Sequence, residues 1–170
     1  SLYVYNLTYE DYIELGKLTP SQEKLLREVM SDEFLHSMPA SGIGEQVALA
    51  ALDKVGCQYS QDLRYEEGYY DCSSLVQRLY AEFGINLPSV ASTQGQYIVD
   101  NGLQVSENEL RPGDLIFHSR DTNAGEFMSI GHVAIYVGNG MQVDARGTAY
   151  GVVYRPLVPS NIGLYGRPCR

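Results

Sequence analysis

Apolar positions along residues 44–55 recur at helical spacing, with Val47, Ala48, Ala51 and Val55 on one stripe before Gly56 breaks the run. A second helical stripe follows Asp71, where Leu75, Val76, Leu79, Tyr80 and Phe83 share a face, Asp71 offers the cap and Gly84 marks the end. The polar, aromatic stretch 60–70 between them reads as a loop. Beyond residue 84 the period shortens to two, and strands are predicted at 115–118, after the turn Arg111-Pro112-Gly113-Asp114, and at 132–137, 141–146 and 151–154. Upstream, residues 1–41 are polar and Tyr-rich. There Thr19-Pro20-Ser21 supplies a cap and a first-turn proline, which predicts a helix running to about His36 and interrupted at Met38-Pro39-Ala40-Ser41-Gly42. Helices first and strands afterwards imply an α+β fold with an antiparallel sheet, not a doubly wound parallel one. Residues 1–41 then form a helical N-terminal extension or linker, and 42–170 the main domain.

Composition narrows the functional classes. The 170 residues are 44% apolar, enough for one compact domain with its own core. Twelve basic against 21 acidic side chains give a net charge of −9 without a basic cluster, so nucleic acid and anionic membrane surfaces are poor partners. No apolar run approaches the roughly 20 residues of a membrane span, so insertion is not expected. The chain opens on serine, which suggests a mature or trimmed form, and location has to be argued from function. Cys57, Cys72 and Cys169 are an odd number without a close pair, which disfavours a zinc site and leaves at least one thiol free. A Cys57–Cys169 bridge stays open.

Candidate chemistry starts at Cys72. In the first turn of its helix it shares the inward face with Leu75, Val76 and Leu79, and the unpaired backbone N–H groups there favour thiolate over thiol. A lone cysteine is more often a small core residue, so a partner is needed that shares its proton and later protonates a leaving amine. Of three histidines, His36 lies in the polar N-terminal segment and His118 ends a strand, and both read as surface or packing residues. His132 opens the run His-Val-Ala-Ile-Tyr-Val-Gly, in which Val133, Ile135 and Val137 form an aliphatic face and His132 stands on the other beside the small Ala134. The next strand offers Asp144 as an acceptor for the imidazole. A plain two-residue turn at Asn139-Gly140 would pair Asp144 with Ile135, on the wrong face. A three-residue loop 138–140 with a bulge at Gly140 pairs it with Ala134, diagonal to His132 and about 7 Å away at the backbone. The bulged loop is therefore expected. A solvent-facing hairpin carboxylate is the plain alternative for Asp144.

The blocks YYDCSSLVQRLYAEFGINLP, LRPGDLIF and GHVAIYVGNGMQVDA, in this order, resemble the NlpC-type family of papain-like peptidoglycan cysteine endopeptidases over about residues 44–157. The resemblance implies a papain-like α+β fold and places the nucleophile at Cys72, the base at His132 and the orienting residue at Asp144. It also implies that Tyr59 lines the substrate groove near the oxyanion site, and that Ser73 and Asp71 contact a free amine of the substrate, Asp71 being equally well explained as a helix cap. The implied partner is the peptidoglycan stem peptide, cut at the bond from γ-D-glutamate to diaminopimelate or lysine through a thioester acyl-enzyme, with no cofactor and no metal. A monomer that is secreted or associated with a bacterial cell wall follows.

Departures from the family pattern are local. Gln61-Asp62-Leu63-Arg64 stands in place of a glycine pair, CSSL in place of CSGL, Ser89 in place of an arginine, and Asp144 in place of a second histidine. The loop 60–70, Ser89 and the insertion 118–130, with Asp121, Asn123, Gly125 and Glu126, are expected as groove walls or a lid. Two other readings remain: a Cys-His amidase or acyltransferase acting on another substrate, and a non-catalytic wall-binding module.

Overall fold

The computed structural model describes residues 42–169. The helix predicted to end near His36, and with it the extension 1–41, lies outside the described residues. Helix α1 (Ile43–Asp53) buries Val47, Ala48, Ala51 and Leu52 on one face, and Gly56 turns the chain away with φ of 96°. Strands β1 (Gln58–Tyr59) and β2 (Tyr69–Tyr70) then pair in parallel and pinch off the polar loop between them. Helix α2 (Cys72–Ala81) follows directly, with Leu75, Val76, Leu79 and Tyr80 in the core.

A third helix, α3 (Ala91–Asp100), stands where the sequence reading had no helix, so helices do not simply precede strands. Its buried face is Ala91, Ser92, Gln94, Gly95 and Ile98, small or polar but for one, and its N-cap Val90 makes no side-chain cap hydrogen bond. Neither the apolar period nor the start signal was therefore present. Small residues are what the packing requires, since a Cβ at Gly95 would lie 2.5 Å from Ile130 Cδ1.

The remaining strands are β3 (Gln104–Val105), β4 (Leu115–Ser119), β5 (Ile130–Gly138), β6 (Met141–Ala145), β7 (Val152–Pro156) and β8 (Ile162–Gly166). They form an antiparallel sheet in the order β3-β8-β4-β5-β6-β7. The three helices all contact β5, whose Val133, Ile135 and Val137 join Leu75, Val76 and Leu79 in one apolar cluster. Removing such side chains from water is the main stabilising term, each worth roughly 1.5–3 kcal/mol. The alternate positions His132, Asp144 and Gln142 are off this cluster yet equally buried, so the second face of the strands carries polar groups that must find partners.

The β5–β6 connection corrects one expectation and keeps its consequence. Gly138 pairs with Met141, so the turn is the tight two-residue Asn139-Gly140, with φ of 49° and 74°. The extra residue sits one step earlier, where the register shifts between Tyr136 and Gly138, and Gly138 takes it up with φ of 100°. Ile135 accordingly faces Val143, and Asp144 is carried opposite Ala134, diagonal to His132.

Candidate active site

Asp71 caps α2 with a reciprocal pair of bonds: its carboxylate accepts from the Ser74 N–H at 2.8 Å, and the Ser74 hydroxyl accepts from the Asp71 N–H at 2.9 Å. That cap fixes Cys72 as the first helical residue, half-buried, with its side chain in a cavity of about 430 Å³. Tyr59, Asp71, Ser73, His132, Ala145 and Arg120 also line this cavity.

His132 and Asp144 meet as the register requires. His132 Nε2 donates to Asp144 Oδ2 at 2.8 Å, which leaves the other ring nitrogen free to face the Cys72 sulfur in the same cavity. Asp144 is 1% exposed, not solvent-facing. Arg155 grips the same carboxylate with both Nε (3.0 Å) and a terminal nitrogen, and Gln142 donates to Oδ1 at 3.1 Å. Burial opposes both charges. For His132 the hydrogen bond to Asp144 and the nearby Cys72 sulfur outweigh it and raise the imidazole to about 9; for Asp144 the bonds from His132 and Arg155 outweigh it and hold the carboxyl well below the usual carboxylate range. The site is thus built to carry an imidazolium between a sulfur and a carboxylate.

The other sequence candidates lie in the same cavity, and two of them, Asp71 and Ser73, are already engaged. Tyr59 is half-buried; burial, then the nearby Cys72 charge, raises its phenol. Asp71 is a cap and also pairs with Arg64 Nε at 3.1 Å, while Ser73 Oγ accepts from Arg64 at 3.0 Å. Arg64 further donates to the carbonyl of Ser89. Sequence reasoning missed Arg64, although a signal existed: relative to the family pattern, an arginine is absent at Ser89 and an extra one stands in the loop before β2. The structure brings that guanidinium to the Ser89 backbone. Arg155 and Gln142 were missed because they announce themselves only through cross-strand pairing, which sets Gln142 beside Arg155.

Of the two readings left for His118, surface or packing, the structure bears out the second. His118 faces His132 directly across β4 and β5, the ring centroids are 5.9 Å apart, and it is 6% exposed. The insertion 118–130 forms a wall, with Arg120, Asn123 and Glu126 on the cavity and Glu126 accepting from the Ser92 hydroxyl at 2.8 Å. Cys57, Cys72 and Cys169 are all free, so the bridge left open above is not formed. Among the described residues no group of three or more His, Cys, Asp and Glu side chains could hold a metal ion.

Residues 56–162 match the sequence profile of the NlpC/P60 family. The chain belongs to that family. Curated relatives include a probable endopeptidase p60 of Listeria seeligeri, 38% identical over 96 residues covering 56% of this chain and 16% of the relative. Another is a gamma-D-glutamyl-L-lysine dipeptidyl-peptidase of Bacillus cereus, 33% identical over 88 residues covering 52% of this chain and 24% of the relative. The chain thus spans well under a third of either relative. Among solved structures, NlpC2 from Trichomonas vaginalis is 28% identical with a TM-score of 0.65 over 77% of this chain and 48% of that one. The NlpC/P60 architecture is a papain-like α+β fold, as expected from the sequence. In this NlpC/P60 chain the family blocks fall on α2, β4 and the β5–β6 hairpin, the elements that build the cavity.

Proposed function

We propose that residues 42–170 are a cysteine peptidase domain that hydrolyses amide bonds in peptidoglycan stem peptides, with Cys72 as nucleophile, His132 as base and acid, and Asp144 as the orienting residue. One observation carries this reading: a half-buried cysteine at a capped helix N-terminus shares a cavity with an imidazole held from behind by a buried carboxylate. The printed names of the relatives, an endopeptidase and a γ-D-glutamyl peptidase, support the substrate class.

In this mechanism His132 holds the Cys72 proton, and the thiolate sulfur adds to the scissile carbonyl. The oxygen gains the negative charge, and the Cys72 backbone N–H with the Tyr59 hydroxyl stands ready to donate to it. The C–N bond then breaks, His132 gives its proton to the departing amine, and a thioester remains on Cys72. Water, losing a proton to His132, attacks the thioester and releases the acid, and the proton returns to the thiol pair. Throughout, Asp144 fixes the ring and offsets its charge, and Arg155 keeps Asp144 ionised. The bond favoured by this reading joins γ-D-glutamate to the third residue of the stem peptide, a substrate outside the cytoplasm, which places the protein in the cell wall or its surroundings.

Mass spectrometry of purified muropeptides incubated with the protein and with Cys72→Ala tests the reading. Cleaved stem peptides with the parent alone are expected, and their masses name the bond. Absence of cleavage across several muropeptide types, with Cys72 still reactive towards iodoacetamide, would instead favour another acyl substrate. An unreactive Cys72 would point to a binding module.

A further inference from the structure

A second cavity of about 250 Å³ shares His132, Arg120 and Arg146 with the first but not Cys72, and extends to Arg155 and the segment 158–161. Three arginines line it and no carboxylate does, in a chain whose net charge is −9. The Arg120 side chain is exposed and has no hydrogen-bond or ion-pair partner among the described residues. His118 adds an independent sign. Its Nδ1 donates to the Ser160 carbonyl at 3.0 Å, while Nε2 is buried without any partner in the wall of this cavity. A buried ring nitrogen left unpaired is costly unless something occupies the space beside it.

The position of His132 decides which end of a substrate reaches this cavity. As the acid that protonates the departing amine, it must stand between Cys72 and the leaving group, so space on its other side belongs to the residue C-terminal to the scissile bond. On the opposite flank the carboxylate of Asp71 is accompanied by Arg64, so the groove runs from a paired acidic end to an end where Arg155 is held by Asp144 and the guanidinium of Arg120 is left available.

We propose that this cavity is a carboxylate-binding subsite for the residue C-terminal to the scissile bond, with Arg120 as its anchor and His118 Nε2, once protonated, as a second donor. The proposal rests on the peptidase reading and deepens it. An acidic third residue of the diaminopimelate type, which carries a carboxylate on its side chain, is selected over lysine, which does not. A carboxylate held by a guanidinium and an imidazolium makes charge-assisted bonds, and loss of one such pair lowers affinity by roughly tenfold or more.

The test uses γ-D-glutamyl peptides whose next residue is diaminopimelate, diaminopimelate with its side-chain carboxyl amidated, or lysine, each with a free or an amidated chain end. Both kcat/KM for the parent and the dissociation constant for Cys72→Ala are measured. The expected result is a preference of about tenfold or more for the free side-chain carboxylate, shrinking towards one in Arg120→Gln. A preference that follows the chain-end carboxylate would keep the subsite and reassign its source. Equal affinity for acid and amide forms, or a preference untouched by Arg120→Gln, would overturn the subsite. Because binding is read in Cys72→Ala, a carboxylate preference without cleavage by the parent would sink the peptidase reading alone, and cleavage without preference would sink the subsite alone.

Discussion

His118 and His132 sit opposite one another on paired strands, 6% and 5% exposed, with their rings in contact range. Burial lowers both, yet one ends below its ordinary value and the other at about 9. What separates them is the group beyond each ring. His132 has a carboxylate at 2.8 Å and a sulfur on the other side; His118 has a backbone carbonyl, which is only a dipole, and faces the charges of His132 and Arg155. Equal burial therefore leaves one ring raised and the other lowered, and the deciding residues lie on the flanking strands β6 and β7 and in the segment before β8.

The largest effect should come from deleting each ring in turn. His132→Ala is expected to lower kcat by roughly 10²–10⁴-fold, the usual contribution of a positioned acid–base group, whereas His118→Ala should act mainly on KM for an acidic substrate. Steady-state kinetics on one muropeptide separates the two, and a comparable loss of kcat in both would end the distinction. Next comes removal of the carboxylate. Asp144→Asn should bring His132 down from about 9 towards its ordinary range, seen in an NMR titration of the ring, with a large loss of kcat. A His132 that still titrated near 9 would show that Cys72 alone sustains it.

A smaller effect appears in stability against pH, with opposite signs for the two rings. His132 has a folded value raised from 6.5 to about 9, so its contribution is complete below 6.5 and lost as pH rises through 9. The whole shift corresponds to about 3 kcal/mol. His118 is lowered, so the folded state resists its protonation and stability falls as pH drops below 6.5. Denaturation midpoints between pH 5 and 10 should peak near neutrality; His132→Gln should flatten the alkaline limb and His118→Gln the acid limb. The smallest shift is predicted in the His118 titration of Arg155→Gln, where loss of the cation lets that ring titrate slightly higher, since this charge is the weakest of the influences on it; the lost bonds to Asp144 act separately, on His132.

How far the sequence revealed this depended on whether the signal was local. The cap at Asp71, the stripe Leu75-Val76-Leu79 and the alternation through Val133 and Ile135 are written in neighbouring residues, and they placed Cys72 and His132 on their elements. Asp144 needed one step of register, and the expectation reached the right partner through a different device, because an extra residue in a loop and one in the adjacent strand shift the pairing equally. Helix α3 hid because Gly95 and Gln94 occupy its buried face for reasons set by Ile130 and by the Ser73 carbonyl that Gln94 bonds. Arg155 and His118 matter through partners eleven or more residues away, Asp144 and Ser160, which no spacing rule connects.

The place of β8 has one more consequence. The strand made last lies inside the sheet, between β3 and β4, and Arg167 just after it closes on the buried Asp114 at 2.8 Å. A growing chain that has already produced Cys72, His132 and Asp144 still exposes one side of β4 to water, and the Ser160 carbonyl that positions His118 is also missing. Sheet closure must wait for distant contacts of this kind, which slow folding. During synthesis the sheet that carries His132 and Asp144 is thus closed only after residues 162–167 have been delivered, so the arrangement around His118 and Asp114 is completed by the last part of the chain to be made.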